Sequence, residues 1–248
     1  MTKIISIHSY RGGTGKSNTT ANLAATAALL GKRVALVDTD IQSPGVNILF
    51  GLKDDQIKHT LNDYLWGRCE IKEVTHDVSA VLNGEGGSIY LIPSSMKSDN
   101  IAKVLSEGYD VELLQEGLYQ LNNLLNLDYL FIDTHPGINE ETLLSIGISD
   151  TLIIILRPDQ QDYLGTAVVI EVAENLEVPQ MLLVVNQVLP DFDLKALRQK
   201  VEATYNKPVA GIMPLSTEMI RLGSQGLFSL QYPDHELTAG YKEIVSHI

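Results

Sequence analysis

Apolar positions along the chain fall into short β-branched runs that alternate with longer stretches of helical spacing. Residues 3–9, 33–38, 89–92, 129–133, 151–156, 181–186 and 209–213 read as strands. Several are almost continuously apolar, the pattern of strands covered on both faces in a parallel sheet. Between them, residues 15–31, 110–126, 140–149, 160–176 and 194–205 read as helices. The alternation predicts right-handed βαβ units and an α/β fold: one doubly wound domain over residues 1–248, with a mostly parallel central sheet and helices on both faces. The least regular part is 51–88, which carries Trp66, Cys69 and the turn-rich stretch Asn83-Gly84-Glu85-Gly86-Gly87-Ser88. It reads as an insertion with a mobile loop rather than a second domain. For Trp66 and Cys69 the expectation is core packing.

Composition narrows the function classes. Apolar residues are 44% of the 248, enough to bury a substantial core and to exclude disorder as the main state. Asp and Glu exceed Lys and Arg by 31 to 18, a formal net charge of −13. Such a chain repels phosphate backbones and anionic lipid on average, so nucleic-acid binding needs a local basic patch. The single cysteine, Cys69, excludes a disulfide framework, a CxxC redox pair and a multi-cysteine metal or iron–sulfur site within one chain. No apolar run approaches the length of a membrane span, and the first ten residues read as a strand rather than a secretory signal. A cytoplasmic location is the expectation.

The strongest chemical signal is Gly12-Gly13-Thr14-Gly15-Lys16-Ser17, which follows the first strand and opens the first helix. Its spacing approaches the phosphate-binding pattern G-x-x-x-x-G-K-[ST], although Tyr10 stands where the first glycine should be. The chemistry survives that departure. Glycines let backbone N–H groups turn inward around phosphate, and the helix N-terminus adds partial positive charge. Lys16 can reach the β- and γ-phosphates of ATP, and the Ser17 hydroxyl can ligate Mg²⁺. Carboxylates stand at strand ends. Asp38 and Asp40 close the second strand and share a direction if its geometry continues, and Asp133 ends the fourth. Burying all three is costly without a cation, the alternative being that some cap neighbouring helices.

Arg11-Gly12-Gly13-Thr14-Gly15-Lys16-Ser17 resembles the deviant Walker A box, KGGxGK[ST], of the ParA/MinD family. The likeness continues through Asn18-Thr19-Thr20-Ala21-Asn22-Leu23-Ala24, and at residues 31–40, GKRVALVDTD. Residues 130–137, LFIDTHPG, look like the family's Walker B and second switch. Val184-Val185-Asn186 and Gly211-Ile212-Met213-Pro214 look like its adenine-side strands. The resemblance implies a Mg²⁺-dependent ATPase that forms a homodimer with ATP, hydrolyses slowly and is accelerated by an activating or adaptor protein. Its output would be the positioning or partitioning of DNA, polar machinery or another large cargo. It implies that Gly12, Gly13, Thr14, Gly15, Lys16, Ser17 and Asn18 cradle the phosphates, and that Asn186 and Pro214 hold the base. Ser17, Asp38 and Asp133 would hold the metal, Asp40 would orient the attacking water, and Lys16 and Arg11 would stabilise charge on the γ-phosphate. Arg157 and Asp162 become candidates for the dimer interface.

The sequence also departs from the family. Its signature lysine, which reaches into the partner's site, is here Arg11: the charge is kept, but a planar fork replaces a point charge. The alternative for Arg11 is pairing with a local carboxylate. Asp40-Ile41-Gln42-Ser43-Pro44-Gly45 is nearer the MinD branch and the iron–sulfur carrier ATPases than the ParA proteins, but one cysteine cannot supply a carrier's paired thiols. The tail, residues 235–248, has Leu237, Tyr241, Ile244, Val245 and Ile248 at helical spacing and only Lys242 for positive charge. It reads as a packed helix rather than a membrane anchor. Lys195, Arg198, Lys200 and Lys207 are candidate contacts to nonspecific DNA, but Asp191, Asp193 and Glu202 interleave with them as on a mixed solvated face. His135, beside Asp133, reads as a loop histidine without a catalytic role, and Asn186 has a turn-forming alternative. The competing function is an ATP-dependent recruitment scaffold with negligible turnover, and a more remote one is an ATPase that delivers a metal or cofactor.

Overall fold

The computed structural model describes residues 2–248. Its strands are β1 (Lys3–His8), β2 (Arg33–Asp38), β3 (His76–Asp77), β4 (Ser88–Ile92), β5 (Tyr129–Asp133), β6 (Thr151–Leu156), β7 (Gln180–Val188) and β8 (Val209–Pro214). They form one eight-stranded sheet in the order β3-β4-β2-β5-β1-β6-β7-β8, parallel throughout except for β3 on the edge. The helices are α1 (Lys16–Leu29), α2 (Val46–Leu49), α3 (Leu61–Leu65), α4 (Ser98–Glu107), α5 (Val111–Leu125), α6 (Glu140–Gly147), α7 (Gln160–Asn175), α8 (Leu194–Tyr205), α9 (Thr217–Leu222), α10 (Phe228–Gln231) and α11 (Glu236–Ser246).

Alternate residues of each central strand enter different cores. Ile5 and Ile7 of β1, Leu36 of β2, Phe131 of β5 and Ile153 of β6 face α1, α10 and α11. On the opposite face, Val37, Leu130 and Ile132 meet α3, α4 and α5, while Leu152, Ile154 and Leu183 meet α7 and α8. Both faces are covered, which explains the unbroken apolar runs. α1 lies against the middle of the sheet and is polar only in appearance. Its Thr20, Asn22 and Thr26 side chains bond the carbonyls one turn back at 2.7–2.9 Å, so they can be buried. α11 packs Leu237, Tyr241, Ile244 and Val245 into the same core, as the tail's spacing predicts.

The segment 51–88 contributes the short antiparallel edge strand β3, and the expectation of a mobile loop needs correction: its glycine-rich stretch is pinned rather than free. The Gly87 N–H donates to the Ala28 carbonyl at 2.7 Å, and the Ser88 N–H to the Lys32 carbonyl at 3.1 Å. A Cβ on Gly87 would stand 2.0 Å from the Lys32 oxygen, so the residue is a packing requirement against the turn between α1 and β2. Trp66 is also more than core filling. Arg68 and Lys103 lie over its ring at 4.6 Å, a cation–π contact that ties α4 to the turn after α3.

Candidate active site

The sheet register assembles the site. Asp38 pairs with Asp133 across β2 and β5, and Asp133 pairs with Ile7 of β1, just before the phosphate loop. The strand ends therefore bring the loop and two carboxylates to one rim of the sheet, where ligands of open α/β folds bind.

The loop between β1 and α1 is braced from β7. Asn186 Nδ2 donates to the Thr14 carbonyl at 2.7 Å and Gln187 Nε2 to the Gly13 carbonyl at 3.1 Å. In a trans peptide the N–H points opposite to the C=O. Tying those carbonyls to β7 thus turns the Thr14 and Gly15 N–H groups the other way, toward a cavity of about 350 Å³ lined by Gly12, Gly13, Lys16, Ser17, Asp40 and Pro136. Gly15 has φ +86°, and a Cβ there would come within 2.5 Å of the Asn186 amide. A second cavity of about 140 Å³ adjoins the first through Gly15 and Asn18 and is bounded by Asn186, Pro214, Leu215, Ser216 and Tyr241. The two cavities share Gly15 and Asn18, so one runs from the phosphate loop and the other lies between that loop and Asn186, Pro214 and Tyr241. Tyr10, at the position of the missing first glycine, packs its ring on the backbone of Gly165 in α7.

Lys16 is buried, with Nζ 2.9 Å from Asp133 Oδ1 and 3.6 Å from Asp40 Oδ2. Burial alone would lower its pKa, but Asp133 and Asp40 hold it above the ordinary lysine value. Thr20 Oγ1 sits 3.0 Å from the same Asp133 oxygen. Asp38 accepts the N–H groups of Asp40, Gly45 and Val46 at 3.1–3.3 Å and so shapes the loop that carries Asp40. Asp40 Oδ1 meets His135 Nδ1 at 2.7 Å. Three buried carboxylates therefore face one buried ammonium, and Asp133 Oδ2 is buried with no hydrogen-bond partner. That donor-poor cluster suits a divalent cation. Among the described residues no group of three or more Asp, Glu, His or Cys forms a closed metal cage. Mg²⁺ needs none, since it is usually held by one or two side chains, waters and the phosphates themselves.

Arg11 does not reach the phosphate cavity in the single chain. Its guanidinium lies 3.3 Å from Asp162 and 3.7 Å from Asp159 at the start of α7. Asp162 is also held by Arg157 at 2.9 Å, so these two interface candidates are internally paired, and the pairing keeps the Asp162 carboxyl below its ordinary range. Among the candidate DNA contacts, Lys207 pairs with Glu174, Arg198 with Glu243, and Lys200 lies over the Tyr163 ring. Sequence reading missed Thr20, Gln187 and the contact that His135 makes. Gln187 owes its position to a bulge, with φ +57° and a register break between Val185 and Val188, which no periodicity announces.

Beneath the loop, His8 Nδ1 meets Thr134 Oγ1 at 2.7 Å and Nε2 is buried without a partner. Burial, then the charges of Lys16 and His135, push its pKa down to about 3. Asp38 moves the other way, up to about 7, through burial and the neighbouring Asp133 charge. Acidification through 6.5 protonates the unfolded His8 but not the folded one, and stability falls toward pH 3. Acidification from 7 to 3.8 protonates folded Asp38 first, and stability rises. The two effects oppose one another in the nucleotide-free protein. His8→Asn should therefore gain stability relative to wild type when the pH drops from about 7.5 to about 5, read as urea midpoints at both values. Equal changes in both proteins would sink this account.

A family model described as "AAA domain" matches residues 2–181. The septum site-determining protein MinD of Bacillus subtilis is 28% identical over all of this chain and 89% of its own length. The chain belongs to the ParA/MinD family of P-loop ATPases. Another relative, an ATP-binding protein of Methanocaldococcus jannaschii, is 28% identical over 98% of this chain and 86% of its own length. The ParA/MinD fold is equally clear in space. MinD of Pyrococcus horikoshii, solved with Mg-ADP, superposes with a TM-score of 0.84 at 21% identity, covering 100% of this chain and 96% of that one. A ParA family ATPase of Chlorobium tepidum gives 0.79 at 17% identity, with both chains fully covered. Among the described residues no helix is long and apolar enough to cross a membrane.

Proposed function

We propose that residues 1–248 are one ATPase domain that binds ATP and Mg²⁺, pairs with a second copy in that state, and separates after hydrolysis. The observation that carries this reading is the position of Asp40. Its carboxylate touches Lys16 of the phosphate loop on one side and His135, from the loop after β5, on the other. A γ-phosphate beside Lys16 would compete for that contact, so two loops would sense whether the phosphate is present. Lys16 and the loop N–H groups would hold the phosphates, Ser17, Asp38 and Asp133 the metal, and Asn18, Asn186 and Pro214 the base end. Bound Mg²⁺ would neutralise charge on the β- and γ-phosphates. Asp40 would orient the attacking water, and Arg11 would act on the partner's phosphate. The biological output would be spatial, as the names of MinD relatives suggest, with a partner protein accelerating a slow basal rate.

The test is light scattering after size exclusion on wild type and Asp40→Ala, each without nucleotide and with ATP and Mg²⁺. Asp40→Ala should be monomeric without nucleotide and a stable dimer with ATP, because it cannot leave the ATP state. Wild type should return to monomer as ATP is consumed. A chain that stays monomeric with ATP rejects the switch. A wild type that dimerises as durably as Asp40→Ala points to a recruitment scaffold with negligible turnover. The trapped dimer, offered to nonspecific DNA and to anionic liposomes, then reports which surface it uses.

A further inference from the structure

The two oxygens of Asp40 have different neighbours. Oδ2 faces Lys16 Nζ at 3.6 Å on the phosphate side. Oδ1 accepts from the Ser43 N–H at 3.2 Å and meets His135 Nδ1 at 2.7 Å. Asp40 lies past the end of β2, in a stretch outside any helix or strand. Its orientation therefore depends on what touches it. His135 is well placed to set that orientation because both its flanks are anchored. Thr134 bonds the Ile7 carbonyl of β1 through its N–H at 3.3 Å and its hydroxyl at 2.9 Å. The Gly137 N–H donates to the Ser9 carbonyl, at the entry to the phosphate loop, at 3.2 Å.

The tautomer with a proton on His135 Nδ1 lets the imidazole donate to Asp40 Oδ1 across this 2.7 Å contact. We infer that His135 is a positioning residue for hydrolysis. Its Nδ1–H holds Asp40 by Oδ1 and leaves Oδ2 aimed at the site of the γ-phosphate, without touching nucleotide itself. The role tracks the ends of β1 and β5, so it links the attack geometry to the phosphate loop. This rests on the proposed reading of Asp40 as the carboxylate that orients water.

The side-chain series His135→Ala, His135→Asn and His135→Gln separates this role from loop packing. An asparagine amide N–H sits near the place of Nδ1, and a glutamine amide near that of Nε2. His135→Asn should keep most of the wild-type kcat. The Ala and Gln variants should each lose about tenfold or more in kcat with KM for ATP unchanged, the scale expected when a reacting group is misplaced. Equal losses in the Asn and Gln variants, or a loss carried by KM, would overturn the inference. A second readout needs no nucleotide. Long-range ¹H–¹⁵N spectra of the imidazoles should show His135 protonated at Nδ1 in wild type and changed in Asp40→Ala. An unprotonated Nδ1 in wild type overturns the inference whatever the ATPase does. Undiminished turnover in Asp40→Ala would instead defeat the underlying reading of Asp40.

Discussion

Replacing Lys16 by methionine should abolish ATP binding and also destabilise the empty protein. The first effect follows from losing the cation that meets the β- and γ-phosphates. The second follows from what Lys16 does without ligand. Its ammonium is the buried partner of Asp133, 2.9 Å away, and of Asp40, 3.6 Å away. Removing one member of a buried pair costs about 3–5 kcal/mol, because the remaining charge is left without compensation. Methionine keeps much of the side-chain volume, so the loss reflects charge more than a cavity. The double variant Lys16→Met with Asp133→Asn removes both charges and should recover most of the stability, while ATP binding stays absent. Urea unfolding of the three proteins without nucleotide, alongside isothermal titration with ATP and Mg²⁺, separates the two effects. A Lys16→Met protein as stable as wild type would show that the pair contributes nothing to the fold. Retained nucleotide affinity would remove Lys16 from the phosphate site.

The parts legible in the sequence were those governed by short-range rules. Continuous apolar runs gave the strands of a sheet covered on both faces, and the phosphate loop lay at its junction of strand and helix. The carboxylates at strand ends met because parallel register puts strand ends together. The missed elements have physical reasons. α4 buries only Val104, so its apolar signal is faint, and β3 is a two-residue strand held entirely by its pairing with β4. The glycines near 86 look like a loose loop in sequence, yet Gly86 has no room for a Cβ against α1, nor Gly87 against the turn that follows it. The side-chain contacts of the site were the least legible. Gln187 reaches Gly13 across 174 residues, Arg11 reaches Asp162 across 151, and His135 reaches Asp40 across 95. Residue type announces that such groups can bond, but only the assembled sheet decides with whom. His135 shows the difference: in sequence it is one more loop histidine, and in the fold it meets Asp40, one of the two carboxylates paired with the phosphate lysine.

Arg11→Ala should leave ATP affinity nearly intact and lower turnover in the dimer by about a thousandfold or more, the scale on which an arginine stabilises a transferring phosphate in trans. The single chain shows why the side chain is free to leave its resting place. Arg11 is 39% exposed on its side chain and pairs with Asp159 and Asp162 near the surface. The Arg11–Asp159 pair is exposed on both sides and contributes about 0–1 kcal/mol. Asp162, which is nearly buried, keeps Arg157 at 2.9 Å when Arg11 departs, so no carboxylate is orphaned. A small resting contact thus competes with a large one offered by a partner's phosphate. Mixed dimers decide whether the contact is made across the interface. In a heterodimer of Arg11→Ala with Asp40→Ala, the Arg11→Ala subunit keeps its own Asp40 and receives Arg11 from its partner. Action in trans therefore predicts that mixing the two inactive proteins restores part of the turnover. Action in cis predicts that the mixture stays as inactive as its components, since each subunit then lacks one required group. If Arg11→Ala alone dimerises and hydrolyses like wild type, the pairing with Asp159 and Asp162 is all that Arg11 does.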